Sequence, residues 1–508
     1  MLTSENINRD RLLELCNKRL SLRRLILASN RAPVEYYRDD DGTLQSRRGS
    51  GGVVTALTNL SQYVEMDWIA SAMGEGDREV ARNTEGGRIK LPSTGEKLYL
   101  RFVTSPRRVY HKFYNVFCNP LLWFLQHYMW DSSRAPNIDH VIYDAWENGY
   151  LPVNRAFAQA VVDTVALCQS SPLVLLNDYH LYMASSYIRE QLPDQVIQSF
   201  IHIPWPSTIY WQLLPKSMRE PILRSLCTSD IVGLQTMRDV RNFCDCCRSF
   251  ISEARINFEQ QTVQINGHTV LVRAYPISVD TAALNSMTST PALQQYLEKL
   301  KGYQGEQTIV RVDRLEPSKN IVRGFRAFDS LLERYPEFVG KLKFLAFLVP
   351  TRTHLKAYQR YSQEVFGLIE DINNKYRTGE WYPIDLFYEN NYTQAIAGMC
   401  LYDVLLVNAV LDGMNLVAKE GPTVNFRDGV LILSEAVGAC EQLGENALTV
   451  SPADLEGTTQ ALYRALTMPT AERRQRATAL KQSIEAADLT NWLFELLGDS
   501  VSLIEQRS

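Results

Sequence analysis

Five short segments of this 508-residue chain place polar side chains directly after apolar runs. Asn30-Arg31 follows LILAS, and Asn177-Asp178-Tyr179-His180 follows LVLL. His202-Ile203-Pro204-Trp205-Pro206 follows SFI, and Asp313-Arg314-Leu315-Glu316-Pro317-Ser318-Lys319 follows TIVRV. Asn408 to Leu411 and then Asp412-Gly413-Met414-Asn415 follow VLLV. In an open parallel sheet, ligands bind just beyond the carboxyl ends of strands. Polar groups recurring there in phase mark a ligand-facing edge. Arg314 and Lys319 sit five positions apart in a loop entering a helix, so two cations plus helix-start amides would make an anion site. The plain alternative is a solvated loop. Gly49, Gly51 and Gly52 in RRGSGGVV could let the backbone approach a phosphate closely, although most Gly-rich turns are only turns. Asp412 and Glu420 flank GMNLVAK, with Glu420 expected about two turns into the following helix. They could grip sugar or ribose hydroxyls, or be a capping Asp and a surface Glu. His202 is by itself more often a hydrogen-bonded structural residue than a catalytic one. Tyr114 and Trp123, in YNVFCNPLLW, are core residues by spacing, or walls of a sugar site with an apolar face and a polar tip.

These segments need rigid elements behind them. Short apolar runs alternate with helical patterns from Leu25 onward, which is the signature of parallel α/β architecture. The clearest strands are Leu25–Ser29, Leu173–Leu176, Ser199–Ile201, Thr308–Val312, Phe344–Val349 and Val404–Val407. Ile321, Val322, Phe325, Phe328, Leu331 and Leu332 form one helical stripe. Single cores stop growing at roughly 250–300 residues, so two domains are expected. The division is expected near Ala274–Asp280. That gives a first domain over 1–280 with a leading helix at 1–20, a second over 281–490, and a C-terminal helix at 491–508 that packs back on the first. Clefts between such halves commonly bind ligands.

A net charge of −4, with 45% hydrophobic and 22% charged residues, is that of an ordinary globular chain. No basic surplus points to nucleic acid and no acidic run to disorder. Cations for anionic substrates must therefore be placed locally. Nine cysteines include CDCC at Cys244, Cys246 and Cys247, but no second cluster completes a four-ligand zinc site, so reduced packing thiols and no metal are expected. The N-terminus carries charge throughout, and no apolar run approaches the roughly 20 residues that span a bilayer. A soluble cytoplasmic protein without membrane partners is expected.

Together these segments resemble the trehalose-6-phosphate synthase family of glycosyltransferases, from about Leu25 to Asn491. ASNRAPV, NDYHL, HIPWPS, DRLEPSKN and DGMNLVAKE carry the resemblance. It implies a GT-B fold of two Rossmann-like parallel-sheet domains facing across a deep cleft. It implies glucose transfer from a nucleotide sugar, usually UDP-glucose, to glucose 6-phosphate with retention and without metal or other cofactor. The second domain would hold the donor and the first the acceptor. Carried over by motif, Arg31 and Arg352 would clasp the acceptor phosphate, while Tyr114, Trp123 and Asp178 line the acceptor sugar. Gly52, within one residue of register, would approach the donor diphosphate, which Arg314 and Lys319 neutralise. His202 and Asp412 would contact the transferred glucose within a donor stretch of Asp412, Gly413, Met414, Asn415, Leu416, Val417 and Glu420. Leu416 and Val417 would present backbone to the nucleotide and Glu420 would hold the ribose. His202, Asp412, Arg314 and Lys319 would carry catalysis.

Three positions depart from the family pattern: Leu411 stands for Arg, Asn320 for Gly and Asn177 for His. Glucosylglycerol-phosphate and pseudosugar-phosphate synthases, which the chain also resembles, are alternatives, as is a non-catalytic sugar-phosphate sensor. Homo-oligomers are common among similar proteins, and a separate phosphatase would act downstream. UDP, ADP and GDP are not distinguished by these residues.

Overall fold

Strands uniformly buried along their length need cover on both faces, which only a parallel sheet with flanking helices supplies. Leu173–Asn177 and Val430–Ser434 are buried at every position, and Leu342–Val349 at all but its last. The computed structural model describes residues 4–20, 23–49, 52–84, 87–91, 97–131 and 133–507. It divides into two compact units, Met1–Pro276 with Thr490–Ser508, and Ile277–Leu489.

The first unit holds a ten-stranded sheet. Its parallel centre runs Ile231–Leu234, Ile197–Phe200, Leu173–Asn177, Leu25–Ser29, Met66–Ser71, Leu98–Val103. His268–Ala274 extends it in parallel beside Ile231–Leu234. Antiparallel strands, among them Thr262–Ile265 and Ile89–Lys90, finish the two edges. The chain leaves Leu25–Ser29 toward one side of the sheet and returns at Leu173–Asn177 on the other. The switch point therefore lies between these two strands. The C-terminal helix Leu489–Arg507 packs along this sheet over most of its length. There Trp492 Nε1 donates to Tyr275 O at 3.1 Å and Ser500 Oγ to Gln198 Oε1 at 2.6 Å.

The second unit holds six parallel strands in the order Ile384–Phe387, Leu342–Val349, Gln307–Arg314, Val404–Val407, Val430–Ser434, Leu448–Val450. Its switch point lies between Gln307–Arg314 and Val404–Val407. The expected stripe forms the helix Ile321–Arg334, with Ile321, Val322, Phe325, Phe328, Leu331 and Leu332 all buried.

The strand Gln307–Arg314 is longer than its apolar run, because Asp313 and Arg314 continue the ladder beside Leu348 and Val349. Arg314 is thus the last strand residue and not a loop residue. The CDCC cysteines are buried on the helix Met237–Phe250, and burial pushes the Cys244 and Cys246 thiols up to about 12. Among the described residues no helix is long and apolar enough to cross a membrane, and no group of three His, Cys, Asp or Glu could hold a metal ion.

Candidate active site

Each unit gathers its candidate residues at its own switch point, where strand order opens a crevice. In the first unit, Asn30 and Arg31 follow one flanking strand and Asp178 the other. Asn30 is buried, and its Oδ1 accepts from Ser71 Oγ at 2.9 Å and from Tyr110 OH at 3.2 Å. Arg31 is exposed and close enough to Tyr110 for its charge to be felt by that phenol. Tyr110 stacks on Tyr114 at 5.7 Å, and Tyr114 stacks on His180 at 5.9 Å. His180 touches Tyr179, against which Trp123 tilts at 5.7 Å. One chain of aromatic contacts thus joins Tyr110, Tyr114 and Trp123, with Arg31 near its Tyr110 end. Tyr114 and Trp123 keep only 8% and 6% of their surface exposed, so their rings serve mainly the core and little of either is open to a sugar.

Asp178 adopts φ +73°, a conformation costly for a non-glycine residue and often kept at functional sites. Its carboxylate accepts the backbone N–H of His202 at 3.3 Å, tying two neighbouring strand ends together. The His202 ring sits between two amides. Nε2 is 3.1 Å from Asn177 Oδ1, and Nδ1 is 3.5 Å from Gln235 Nε2. These partners assign the tautomer: Nε2–H donates to the Asn177 carbonyl and Nδ1 accepts from Gln235. Burial pushes the His202 pKa down to about 3, so the ring is neutral. Asn177, a departure from the family pattern, therefore has a role that its sequence position did not reveal.

The glycine segment is described in part. Gly49 is fixed by crowding, since a Cβ there would lie 2.3 Å from Ala32 O, and its N–H donates to Pro33 O at 2.8 Å. This packs the segment against the loop bearing Arg31. Gly51 lies outside the described residues, and Gly52 opens the helix Gly52–Thr58.

In the second unit the cations arrive with carboxylates. Lys319 Nζ pairs with Asp412, joining the loops beyond the two central strands. Asn415 Nδ2 also donates to Asp412 Oδ2 at 3.1 Å, and Val410 N donates to Ser318 O at 2.8 Å. Asp412 is therefore an ion-pair partner, not a helix cap. Glu316, fully buried, takes Arg314 on Oε1 at 2.9 Å and lies 3.5 Å from Arg352 Nη1 on Oε2. The Arg352 guanidinium also donates to the Tyr358 hydroxyl. Arg314, Lys319 and Arg352 thus share two carboxylates, leaving a net charge of +1 among these five residues.

Arg311 stands beneath them, fully buried, at a place where the sequence reads as an apolar strand. Its Nε donates to Asp313 Oδ2 at 2.8 Å and its Nη2 to Lys319 O at 2.8 Å and Asn408 Oδ1 at 2.5 Å. One guanidinium thereby fixes both loops. Gly324 makes room, because a Cβ there would meet Arg311 Nη1 at 2.2 Å. Burial pushes the Asp313 carboxyl up, while Arg311 and Lys319 pull it back. Asn320 has φ +57°, and its Nδ2 donates to Asn408 O at 2.9 Å and Pro452 O at 2.7 Å. Asn tolerates this left-handed conformation better than other side chains, so the departure from glycine keeps the turn.

Gly413, Met414 and Asn415 are buried, and Leu416 and Val417 open the helix Val417–Val424. Glu420 falls in that helix's first turn, not two turns in, because the helix begins only at Val417. Tyr392 OH donates to Glu420 Oε1 at 2.9 Å, and burial pushes this carboxyl up. Lys419 beside it is fully buried, donates to Ile277 O at 2.9 Å, and is pushed down to about 7 by burial.

The sequence matches the family model of glycosyltransferase family 20 over residues 23–500. It is 30% identical over 484 residues to alpha,alpha-trehalose-phosphate synthase (UDP-forming) of Schizosaccharomyces pombe, covering 94% of this chain and 90% of that one. Validamine 7-phosphate valienyltransferase of Streptomyces hygroscopicus subsp. jinggangensis is 31% identical over 465 residues, covering 91% and 90%. Among solved structures, an alpha,alpha-trehalose-phosphate synthase (UDP-forming) from Burkholderia xenovorans in complex with glucose-6-phosphate matches with a TM-score of 0.79. Its identity is 26%, and the match covers 94% of this chain and 99% of that one.

Proposed function

Since the chain belongs to glycosyltransferase family 20 and has the GT-B fold, we propose that it transfers glucose from UDP-glucose to glucose 6-phosphate with retention, giving trehalose 6-phosphate and UDP. The observation that carries the reading is the Lys319–Asp412 pair, which joins the two loops at the second unit's switch point. A diphosphate entering there competes for Lys319 and Arg314, and a released Asp412 can accept from glucose hydroxyls. The relatives support the substrates, since the fission-yeast protein is UDP-forming and the Burkholderia structure holds glucose-6-phosphate.

In this reading the bond from the anomeric carbon to the β-phosphate oxygen breaks and a bond to the acceptor hydroxyl oxygen forms. The departing phosphate oxygen takes the hydroxyl proton, and UDP leaves. Arg314 and Lys319 stabilise the charge growing on that oxygen, an effect preorganised cations supply best. Arg352 and Arg31 hold the acceptor phosphate, a task suited to a planar fork of donors. A neutral His202 acts as a hydrogen-bonding partner of the transferred glucose and neither gives up nor takes up a proton in the transfer. Leu416, Val417 and Glu420 receive the nucleotide. The charges involved require no metal.

A second acceptor, a pseudosugar phosphate, is favoured by the match to the valienyltransferase and by Leu411 and Asn320. Nucleotide release from UDP-, ADP- and GDP-glucose, each with glucose 6-phosphate, glycerol 3-phosphate or validamine 7-phosphate, separates these readings. Fastest release is expected from UDP-glucose with glucose 6-phosphate. Release with another acceptor alone contradicts the proposal.

A further inference from the structure

The strands whose carboxyl ends lead to Arg31, Asp178 and His202 begin at Leu25, Leu173 and Ile197. Their amino ends frame a cavity of about 910 Å³ within the first unit, at the opposite edge of the sheet from those residues. Arg23, Arg189, Arg224 and Arg507 line it, against Asp194 as the one carboxylate among the described lining residues. Asp230 and Glu253 stand behind the arginines. Four guanidiniums against three carboxylates leave the wall positive by one.

The arginines differ in what they have left to give. Arg189 is a brace: its Nε donates to Thr228 O, its Nη1 to Pro193 O and Gln195 O, and its Nη2 to Asp230. Arg224 gives one N–H from each Nη to Glu253. Arg507 gives one to Asp230 and one to Asp194 O. A guanidinium has five N–H donors, so these two keep donors for a ligand. Arg23 donates to Ser171 O at 3.0 Å from the same rim. Val196, Ile265 and Ile504 supply apolar surface beside this cationic wall.

We propose that this cavity is a second anion site, which takes the phosphate of a small phosphorylated metabolite on Arg23, Arg224 and Arg507. The organic body rests on Val196, Ile265 and Ile504. The site is independent of the transfer reaction proposed above. Ile504 and Arg507 belong to the C-terminal helix, so a bound phosphate ties that helix to the amino ends of the strands whose other ends lead to Arg31, Asp178 and His202. Guanidinium–phosphate bonds are charge-assisted and often bidentate, yet partly exposed and screened by salt.

Arginine modification by phenylglyoxal, mapped peptide by peptide, tests this residue by residue and so separates the cavity from the transfer site. The probes are inorganic phosphate and glucose 6-phosphate, with the exposed Arg248 as reference. At about 10 mM probe, Arg23, Arg224 and Arg507 should react at least about threefold more slowly, as expected for a dissociation constant of a few millimolar, and Arg248 should not change. Glucose 6-phosphate should protect at lower concentration than inorganic phosphate. Arg224→Gln with Arg507→Gln should abolish protection of Arg23. Arg189 still pairs with Asp230 in that variant, and Arg224→Gln alone serves if the double variant unfolds. Unchanged rates at all three arginines with both probes overturn the site. Equal protection by the two probes overturns the role given to the apolar surface.

Discussion

The two switch-point clusters solve different electrostatic problems. The first unit's cluster is mainly aromatic, with stacked Tyr110, Tyr114 and His180 and a His202 held uncharged between two amides, and its Arg31 and Asp178 balance each other in charge. The second unit's cluster is ionic: Arg311 on Asp313, Lys319 on Asp412, and Arg314 and Arg352 on Glu316. A neutral wall suits hydroxyl-bearing rings, which need edges and hydrogen bonds. Cations already paired inside the protein suit a diphosphate, because the pairing carboxylates hold them in place before the anion arrives and lower the cost of burying them.

The contrast can be broken from its ionic side first. Arg311→Met strands Asp313 in the core and should cost about 3–5 kcal/mol in chemical denaturation, the usual penalty for breaking a buried pair. Adding Asp313→Asn should regain much of it. A loss no greater than that of a surface substitution would show that Arg311 does not organise these loops. Next comes turnover. Lys319→Ala and Arg314→Ala should each lower it by at least about 10²-fold, since one preorganised charge typically contributes that much. Near-normal rates in both would remove the ionic cluster from catalysis.

Arg352 sits in the ionic cluster, yet its proposed partner is the acceptor. Arg352→Ala should raise KM for glucose 6-phosphate by about tenfold with a smaller change in turnover, the pattern of lost ground-state binding. An unchanged KM would return Arg352 to the donor. The smallest effect belongs to the neutral cluster. The folded pKa of His202, about 3, lies below its ordinary value of 6.5. Between these values the unfolded state binds the extra proton, so stability falls as pH drops from 6.5 toward 3. His202→Gln should flatten that limb of thermal stability against pH. An identical slope in the variant would mean that the ring titrates normally.

Six of the strands were legible because buried parallel strands read as short apolar runs, although the one expected at Ser199–Ile201 runs Ile197–Phe200. The polar residues after them were legible because strand ends face ligands. Counter-charges were not. Glu316 stood inside a segment already singled out, but nothing in the order of residues shows that its carboxylate reaches both Arg314 and Arg352. Arg311 interrupts TIVRV, and a charge at that point was the available signal of a buried brace. Gly324, 13 positions later, shows why there is room. Glu420 was placed too deep in its helix because Gly413 to Leu416 carry helix-compatible polarity while forming a loop, with Asn415 at φ +65°. Asn177 and Gln235 are remote in sequence and meet only at the His202 ring.

The proposed reaction is one glucosyl transfer between two phosphate-bearing substrates. NMR of the product formed from anomerically ¹³C-labelled UDP-glucose and unlabelled glucose 6-phosphate tests it most directly. The expected product has one labelled and one unlabelled α-anomeric carbon joined through a single oxygen, with the phosphate still on the unlabelled ring. A β-linked product, or labelled free glucose alone, would contradict it.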